Sequence, residues 1–158
     1  MTDSTNEERQ IRRAAPADAV QIRALTRDAY AQWIPIIGRE PLPMQADYDR
    51  AVREHMIDLL FWRGELAALI EMQHNSDHLY IVNVAVSPRY QGDGHGRHML
   101  SHAERLAAAL GLGEVRLDTN KKFSRNIELY RRLGYAVDRE EPFKDTFRVH
   151  MSKRLAVS

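Results

Sequence analysis

The sequence predicts an α/β domain whose elements follow the order β-α-α-β-β-β-α-β-α-β-β. Three observations carry that reading. Strand-type alternation and helix-type periodicity replace one another along the chain. A two-residue turn signal, Arg63 and Gly64, sits at the centre of "LLFWRGELAALIEMQ" and predicts adjacent antiparallel strands. The 158 residues, 44% of them hydrophobic, suit a single core, large enough to bury roughly 70% of the surface of the unfolded chain. No repeat or low-complexity linker divides the sequence, so one domain is expected over 11–154 after a flexible leader, 1–10.

The elements are read in order. "IRRAAPADAVQIRALTRDAY" opens as a short strand, turns at Pro16 to Asp18, and continues as a helix with Val20, Ile22, Leu25 and Ala29 at near-helical spacing and Asp18 as its cap. "WIPIIGREPLPM" holds three prolines and a glycine, which exclude a regular helix or central strand and predict an apolar loop. A second helix is expected over 44–57, where Met44, Tyr48, Val52 and Ile57 recur on a polar background. The hairpin strands around Arg63 and Gly64 come next, then "HLYIVNVAVSP", closed by Pro88. "RHMLSHAERLAAALGLG" sets Met99, Leu100, Ala103, Leu106, Ala107 and Leu110 on one stripe, with Gly111 and Gly113 as stop signals. "EVRLDT" is a strand and "SRNIELYRRLGY" a short helix ended at Gly134. "YAVDRE" and "FKDTFRVHMSKRL" are closing strands, the second alternating through Phe147, Val149 and Met151.

Charge and composition exclude several function classes. The 23 Lys and Arg nearly cancel the 22 Asp and Glu, so the chain-wide basic footprint of a nucleic-acid binder is missing. Without cysteine there is no disulfide, thiolate zinc site or cysteine nucleophile. "MTDSTNEERQ" does not read as a signal peptide, and no apolar run approaches the ~18 residues of a membrane span. A cytoplasmic protein with neither nucleic-acid nor membrane partners is expected.

The chemistry concentrates in "VSPRYQGDGHGRHM", where Gly92, Gly94 and Gly96 lie between a strand and a helix. Glycines there let main-chain N–H groups converge on an anion at a helix N-terminus. Spacing excludes two nucleotide loops: Arg97 stands where a G-x-G-x-x-G fingerprint needs its third glycine, and the Gly-Lys-Ser/Thr ending of a Walker loop is absent. Taken alone, such a loop equally reads as a tight strand-to-helix connection. Gln91, Gly92, Asp93, Gly94, His95 and Gly96 nevertheless resemble the Q/R-x-x-G-x-G/A signature of the GNAT superfamily of acyl-CoA N-acetyltransferases. The approach through Ala85, Val86, Ser87 and Pro88 is similar to the family's "AVxP" phrase. "NIELYRRLGY" resembles its second motif, with Tyr130 ahead of Leu133, Gly134 and Tyr135. In element order the resemblance spans residues 10 to 154.

That resemblance implies a GNAT-type mixed, mostly antiparallel central sheet of six to seven strands flanked by four helices. It implies transfer of an acetyl group from acetyl-CoA, a co-substrate, to a primary amine by direct attack in a ternary complex. The other implied reading is a non-catalytic acyl-CoA-binding or sensor domain. In the family's pattern the CoA pyrophosphate meets the amides of Gln91, Gly92, Asp93, Gly94, His95, Gly96 and Arg97, and the pantetheine pairs with Val84, Ala85 and Val86. Asn120 and Asn126 are further cofactor-binding candidates, and Arg89, Arg97, Lys121, Lys122 and Arg125 are nearby cations. Asp93 departs from expectation: an anion repels it, so its side chain is expected to face solvent.

Tyr130 matches the family's general acid, and an ordinary phenol pKa of ~10 suits protonation of a departing thiolate. Glu71 is the candidate base, Asn83 the alternative through a held water, and N–H groups near Val84 would polarise the thioester. The acceptor is expected between the first two helices and the sheet, near Trp33, Arg39, Glu40, Met44 and Tyr48. His98 and His102 have i,i+4 spacing but neither an intervening glutamate nor a third ligand, so His95, His98 and His102 read as a solvated helix face and no metal is expected. The resemblance also admits a homodimer.

Overall fold

A computed structural model of the protein describes residues 8–156. Seven strands form one sheet in the order β1-β2-β3-β4-β5-β7-β6: β1 (Arg9–Arg13), β2 (Met56–Trp62), β3 (Glu65–His74), β4 (Leu79–Val86), β5 (Glu114–Asn120), β6 (Ala136–Phe143) and β7 (Thr146–Arg154). Every neighbouring pair is antiparallel except β4 and β5. Arg63 and Gly64 both take positive φ, 51° and 85°, as a two-residue hairpin turn needs to follow the strand twist.

The parallel pair creates the feature that organises the molecule. β4 and β5 are paired only from Leu79 and Val115 to Ile81 and Leu117, although β4 continues to Val86 and β5 to Asn120. Opposite β3, the register shifts so that Met72 faces Ile81 and Glu71 faces Asn83, leaving Val82 as an extra residue. A bulge bends its strand, and here β4 leaves β5 just beyond it. The two strands enclose an open wedge.

Helices cover both faces. On one face α1 (Ala19–Tyr30) and α4 (Tyr48–Glu54) bury Ile22, Leu25, Ala29, Tyr48 and Ala51 against Ile57, Leu59, Leu69 and Ala85. On the other, α5 (His95–Ala109) places Met99, Leu100, Ala103 and Ala107 on Leu60, Ala68, Ile70, Leu79, Val115 and Leu117, and α6 (Ser124–Arg132) adds Ile127 and Tyr130. β3 is apolar on both faces because both are covered, the pattern of a buried central strand.

The order of elements is as the sequence predicts, with local corrections. The helix expected over 44–57 is two: α3 (Leu42–Gln45) and α4 are separated by extended Ala46 and Asp47, and the Asp47 carboxylate accepts the Arg50 N–H to start α4 afresh. Ile57 belongs to β2. The segment predicted as a loop contains α2 (Ile34–Ile37) and α3, each with proline in its first two positions, where no N–H is needed. Val20 is 78% exposed, and Leu110 and Phe147 also face outward. Asp18 stands at the N-cap of α1 as expected, but its side chain makes no capping hydrogen bond there; its carboxylate accepts from Ala15 N–H and pairs with Arg12, closing the turn Pro16–Asp18. β1 begins inside the expected leader, whose residues 1–7 lie outside the described residues.

Candidate active site

A cavity of about 530 Å³ occupies the wedge. Tyr30 and Tyr48 line it from the α1 and α4 side, Val82, Asn83 and Val84 from β4, Leu117 to Asn120 from β5, and Asn126 and Tyr130 from α6 on the other face. It therefore passes through the sheet where the strands part. The Ser87 N–H bonds the Ala67 carbonyl on β3. By strand alternation the N–H groups of Val84 and Val86 point the opposite way, into the wedge.

Glu71 and Asn83 stand opposite one another in the β3–β4 register, so they share a face. Each is only 4% exposed. One Glu71 carboxylate oxygen lies 2.5 Å from His55 Nδ1, and Gln73 Nε2 lies 2.8 Å from His55 Nε2. The Tyr30 hydroxyl donates to Asn83 Oδ1 at 2.6 Å, the length of an O–H···O bond, and sits 3.2 Å from the Val84 carbonyl. Burial, then the neighbouring Tyr130, Tyr48 and Glu71, hold the Tyr30 phenol well above its ordinary range, so it remains a donor. Tyr130 is half-buried, and its hydroxyl has no hydrogen-bond partner among the described residues; burial pushes its pKa up to about 12. Asn126 lies one turn before it on the same cavity wall. Asn120 also lines the cavity, but its Oδ1 accepts from Lys122 N–H and Thr146 Oγ1, fixing the turn between β5 and α6.

Beyond β4, the turn Pro88–Tyr90 leads into glycines whose backbones require no Cβ: Gly92 at φ 89° and Gly94 at φ 80°. Gly94 is the N-cap of α5, so the amides of His95, Gly96 and Arg97 form a first turn without intrahelical acceptors. Gln91, Gly92, Asp93 and Arg97 are exposed. Arg9 Nη2 donates to the Asp93 carbonyl at 2.8 Å, tying β1 to the loop.

The solvated histidine face is overturned. His95 is 1% exposed, with its ring 5.0 Å from that of Trp62, and Arg9 Nε donates to its Nδ1 at 3.2 Å. Burial, then the Arg9 charge, lowers its pKa and keeps it neutral. His102 pairs with buried Asp58 at 2.7 Å. The histidines form the seam between α5 and the first two strands because the sheet supplies partners there. His95 thus offers the loop an amide and no side chain. Among the described residues, no group of three or more His, Cys, Asp or Glu is placed to hold a metal ion.

The remaining expectations divide. Arg39, Glu40 and Tyr48 line the cavity; Trp33 and Met44 do not. Trp33 stacks on Phe123 at 4.4 Å, and Met44 is buried in the core, where apolar side chains of short helices go. Lys121 pairs with Glu140, Lys122 with Asp145 and Arg89 with Glu65, whereas Arg97 and Arg125 have no ion-pair partner among the described residues. Sequence reasoning missed Tyr30 and His55. Nothing local signals either, because each meets its partner through the fold.

The sequence model of the acetyltransferase (GNAT) family matches residues 22–135, from α1 through β4, the glycine loop and α6. The chain belongs to the GNAT acetyltransferase family. It is thereby an acyltransferase, and its fold agrees. The GNAT chain is similar to the crystal structure of the ribosomal-protein-S18-alanine N-acetyltransferase from Escherichia coli, with a TM-score of 0.77 at 20% identity, covering 95% of this chain and 96% of that one. Against the PaiA N-acetyltransferase of Thermoplasma acidophilum, in complex with coenzyme A, the TM-score is 0.79 at 18% identity, over 92% and 98% of the two chains. YncA of Salmonella typhimurium, a structure with acetyl-CoA, gives 0.71 at 18% identity over 95% of each chain. No curated protein matches the chain.

Proposed function

We propose that this GNAT chain transfers an acetyl group from acetyl-CoA to a primary amine by direct attack in a ternary complex. One observation carries the reading: a single cavity at the parted strands holds a buried carboxylate, Glu71, and a phenol, Tyr130, without a hydrogen-bond partner among the described residues, beside the stretch of β4 whose edge has parted from β5. The CoA and acetyl-CoA complexes of two similar folds support it.

The glycine loop and first turn of α5 receive the pyrophosphate, with Arg97 of that turn, which has no ion-pair partner among the described residues, as its cation. The pantetheine arm lies along Val84 to Val86 as an added strand, with Asn126 within the same wall, and the Val84 N–H polarises the thioester carbonyl. Glu71 takes a proton from the incoming ammonium group. The neutral nitrogen attacks the carbonyl carbon, the C–S bond breaks, Tyr130 delivers its proton to the sulfur, and the second proton shed by the acylated nitrogen restores the Tyr130 phenol. A phenol whose pKa is about 12 is protonated at every working pH, as an acid must be before it donates. Asn83, held by Tyr30, fixes the polar floor beside Glu71. Arg39, Glu40 and Tyr48 form the acceptor side.

Thiol release from acetyl-CoA across a panel of primary amines tests this. Amine-dependent release is expected, and Tyr130→Phe and Glu71→Gln should each lower it by roughly 10²–10⁴-fold. Saturable CoA binding with no release for any amine would instead make the chain a binding module.

A further inference from the structure

We infer that His55 is a positioning residue for this acetyl transfer: through a hydrogen-bond chain beginning at Gln73, it supplies the buried Glu71 carboxylate with a donor and leaves its other oxygen for the amine. The inference rests on Glu71 being the base. The side-chain amide nitrogen of Gln73 can only donate, so His55 Nε2, 2.8 Å away, accepts. An imidazole that accepts at Nε2 carries its proton at Nδ1, and that proton lies on the 2.5 Å line to Glu71. Each member fixes the next. Glu71 and Gln73 are two residues apart on β3, so they project from one face. His55 spans both from the bend between α4 and β2, where its own N–H bonds the Ala51 carbonyl at 2.8 Å.

A carboxylate at 4% exposure is costly without a donor. Asn83, its cross-strand neighbour, spends its oxygen on Tyr30. His55 is the hydrogen-bond donor found for Glu71 among the described residues. The ring also borders a second cleft lined by Glu54, Met56, Met72, Gln73, His74 and Asn75, so its Nε2 side is near water and its Nδ1 side faces the cavity. The titratable and charged groups around the hydrogen-bond chain include Tyr30, Tyr48 and Tyr130 towards Glu71, Asp47 and Arg50 along the α4 wall of the cavity, and Glu54 and His74 towards the cleft.

The pH profile of kcat/KM separates this role from mere support of the fold. His55→Ala should move the acid limb to higher pH by about 1 unit or more, because the buried carboxylate loses the donor that favours its charged form. His55→Asn, whose amide can also donate, should restore much of the shift. Gln73→Glu sets an anion against Nε2, draws a second proton onto the ring and should move the limb to lower pH. Imidazole nitrogen chemical shifts should place the His55 proton on Nδ1 in the unaltered protein. An unmoved acid limb in both His55→Ala and Gln73→Glu, or a proton found on Nε2, overturns the inference. Full turnover by Glu71→Gln refutes the base assignment instead, while the nitrogen shifts still report the hydrogen-bond chain without turnover. If His55→Ala does not fold, His55→Asn against His55→Gln and the Gln73→Glu profile decide.

Discussion

Gly96 separates the two uses of glycine in the loop. Gly92 and Gly94 have positive φ, so alanine at either is expected to cost about 1–2 kcal/mol even though no atom lies within 4 Å of a Cβ at Gly92. Gly96 is inside α5, and a Cβ there would meet Val86 Cγ2 at 3.5 Å, an ordinary contact. Alanine also favours a helix over glycine by about 1 kcal/mol. Gly96→Ala is therefore expected to hold or raise the melting temperature while weakening CoA at least tenfold, since it alters the first turn of α5, whose amides are proposed to receive the pyrophosphate. Calorimetric titration with CoA beside a thermal melt checks it; a parallel loss of stability and affinity would make Gly96 a packing residue. At this scale Tyr130 and the glycines were legible because each sits in a short pattern, whereas Glu71 was picked only by its place on the strand before the loop; the fold sets Tyr130 and Glu71 in one cavity. His55 was not legible, because its partner is sixteen positions away in sequence and arrives only when β2 pairs with β3.

Elements were legible where one period governed a segment and obscure where two met. Met44, Tyr48 and Val52 keep helical spacing, but prolines and the Asp47 cap cut the segment, and Ile57 completes the pattern from a strand. The seam of β1, β2 and α5 was equally hidden, since a histidine stripe on a helix carries no mark of what covers it. Asp58 on β2 holds that seam: Arg13 Nε donates at 2.5 Å to one oxygen and His102 Nε2 lies 2.7 Å from the other. Burial pushes the Asp58 carboxyl up, yet the hydrogen bonds from His102 and Arg13 outweigh it and the net shift is downward. A carboxyl lowered in the folded state contributes stability above its unfolded value of about 3.9 and loses it as pH falls through the folded value. Asp58→Ala is expected to cost about 1.5–3 kcal/mol at neutral pH, the cost of losing hydrogen bonds to a buried carboxylate whose partners Arg13 and His102 still reach water. Urea unfolding should show the gap from the unaltered protein narrowing below about pH 4; a gap independent of acid would assign the loss to packing.

The whole molecule is two cores on one sheet, joined everywhere except at the wedge. Element order was readable because each strand and helix announces its own period, whereas the wedge depends on Val82 bulging and on β4 and β5 pairing over only three residues, a relation between distant segments. A pantetheine arm along β4 would supply the hydrogen bonds that β5 does not. CoA at a hundred times its Kd should stabilise the fold by about 2.7 kcal/mol, which for a chain of this size raises Tm by roughly 5–10 °C, with ATP and NAD giving less. The distribution of that gain is the sharper test. Val84 and Val86 point their N–H groups into the wedge, whereas Ser87 already bonds Ala67. Amide hydrogen exchange on saturation with CoA should therefore slow at Val84 and Val86 well beyond the slowing that global stabilisation gives the rest of the sheet. Uniform slowing across all seven strands would place the ligand elsewhere.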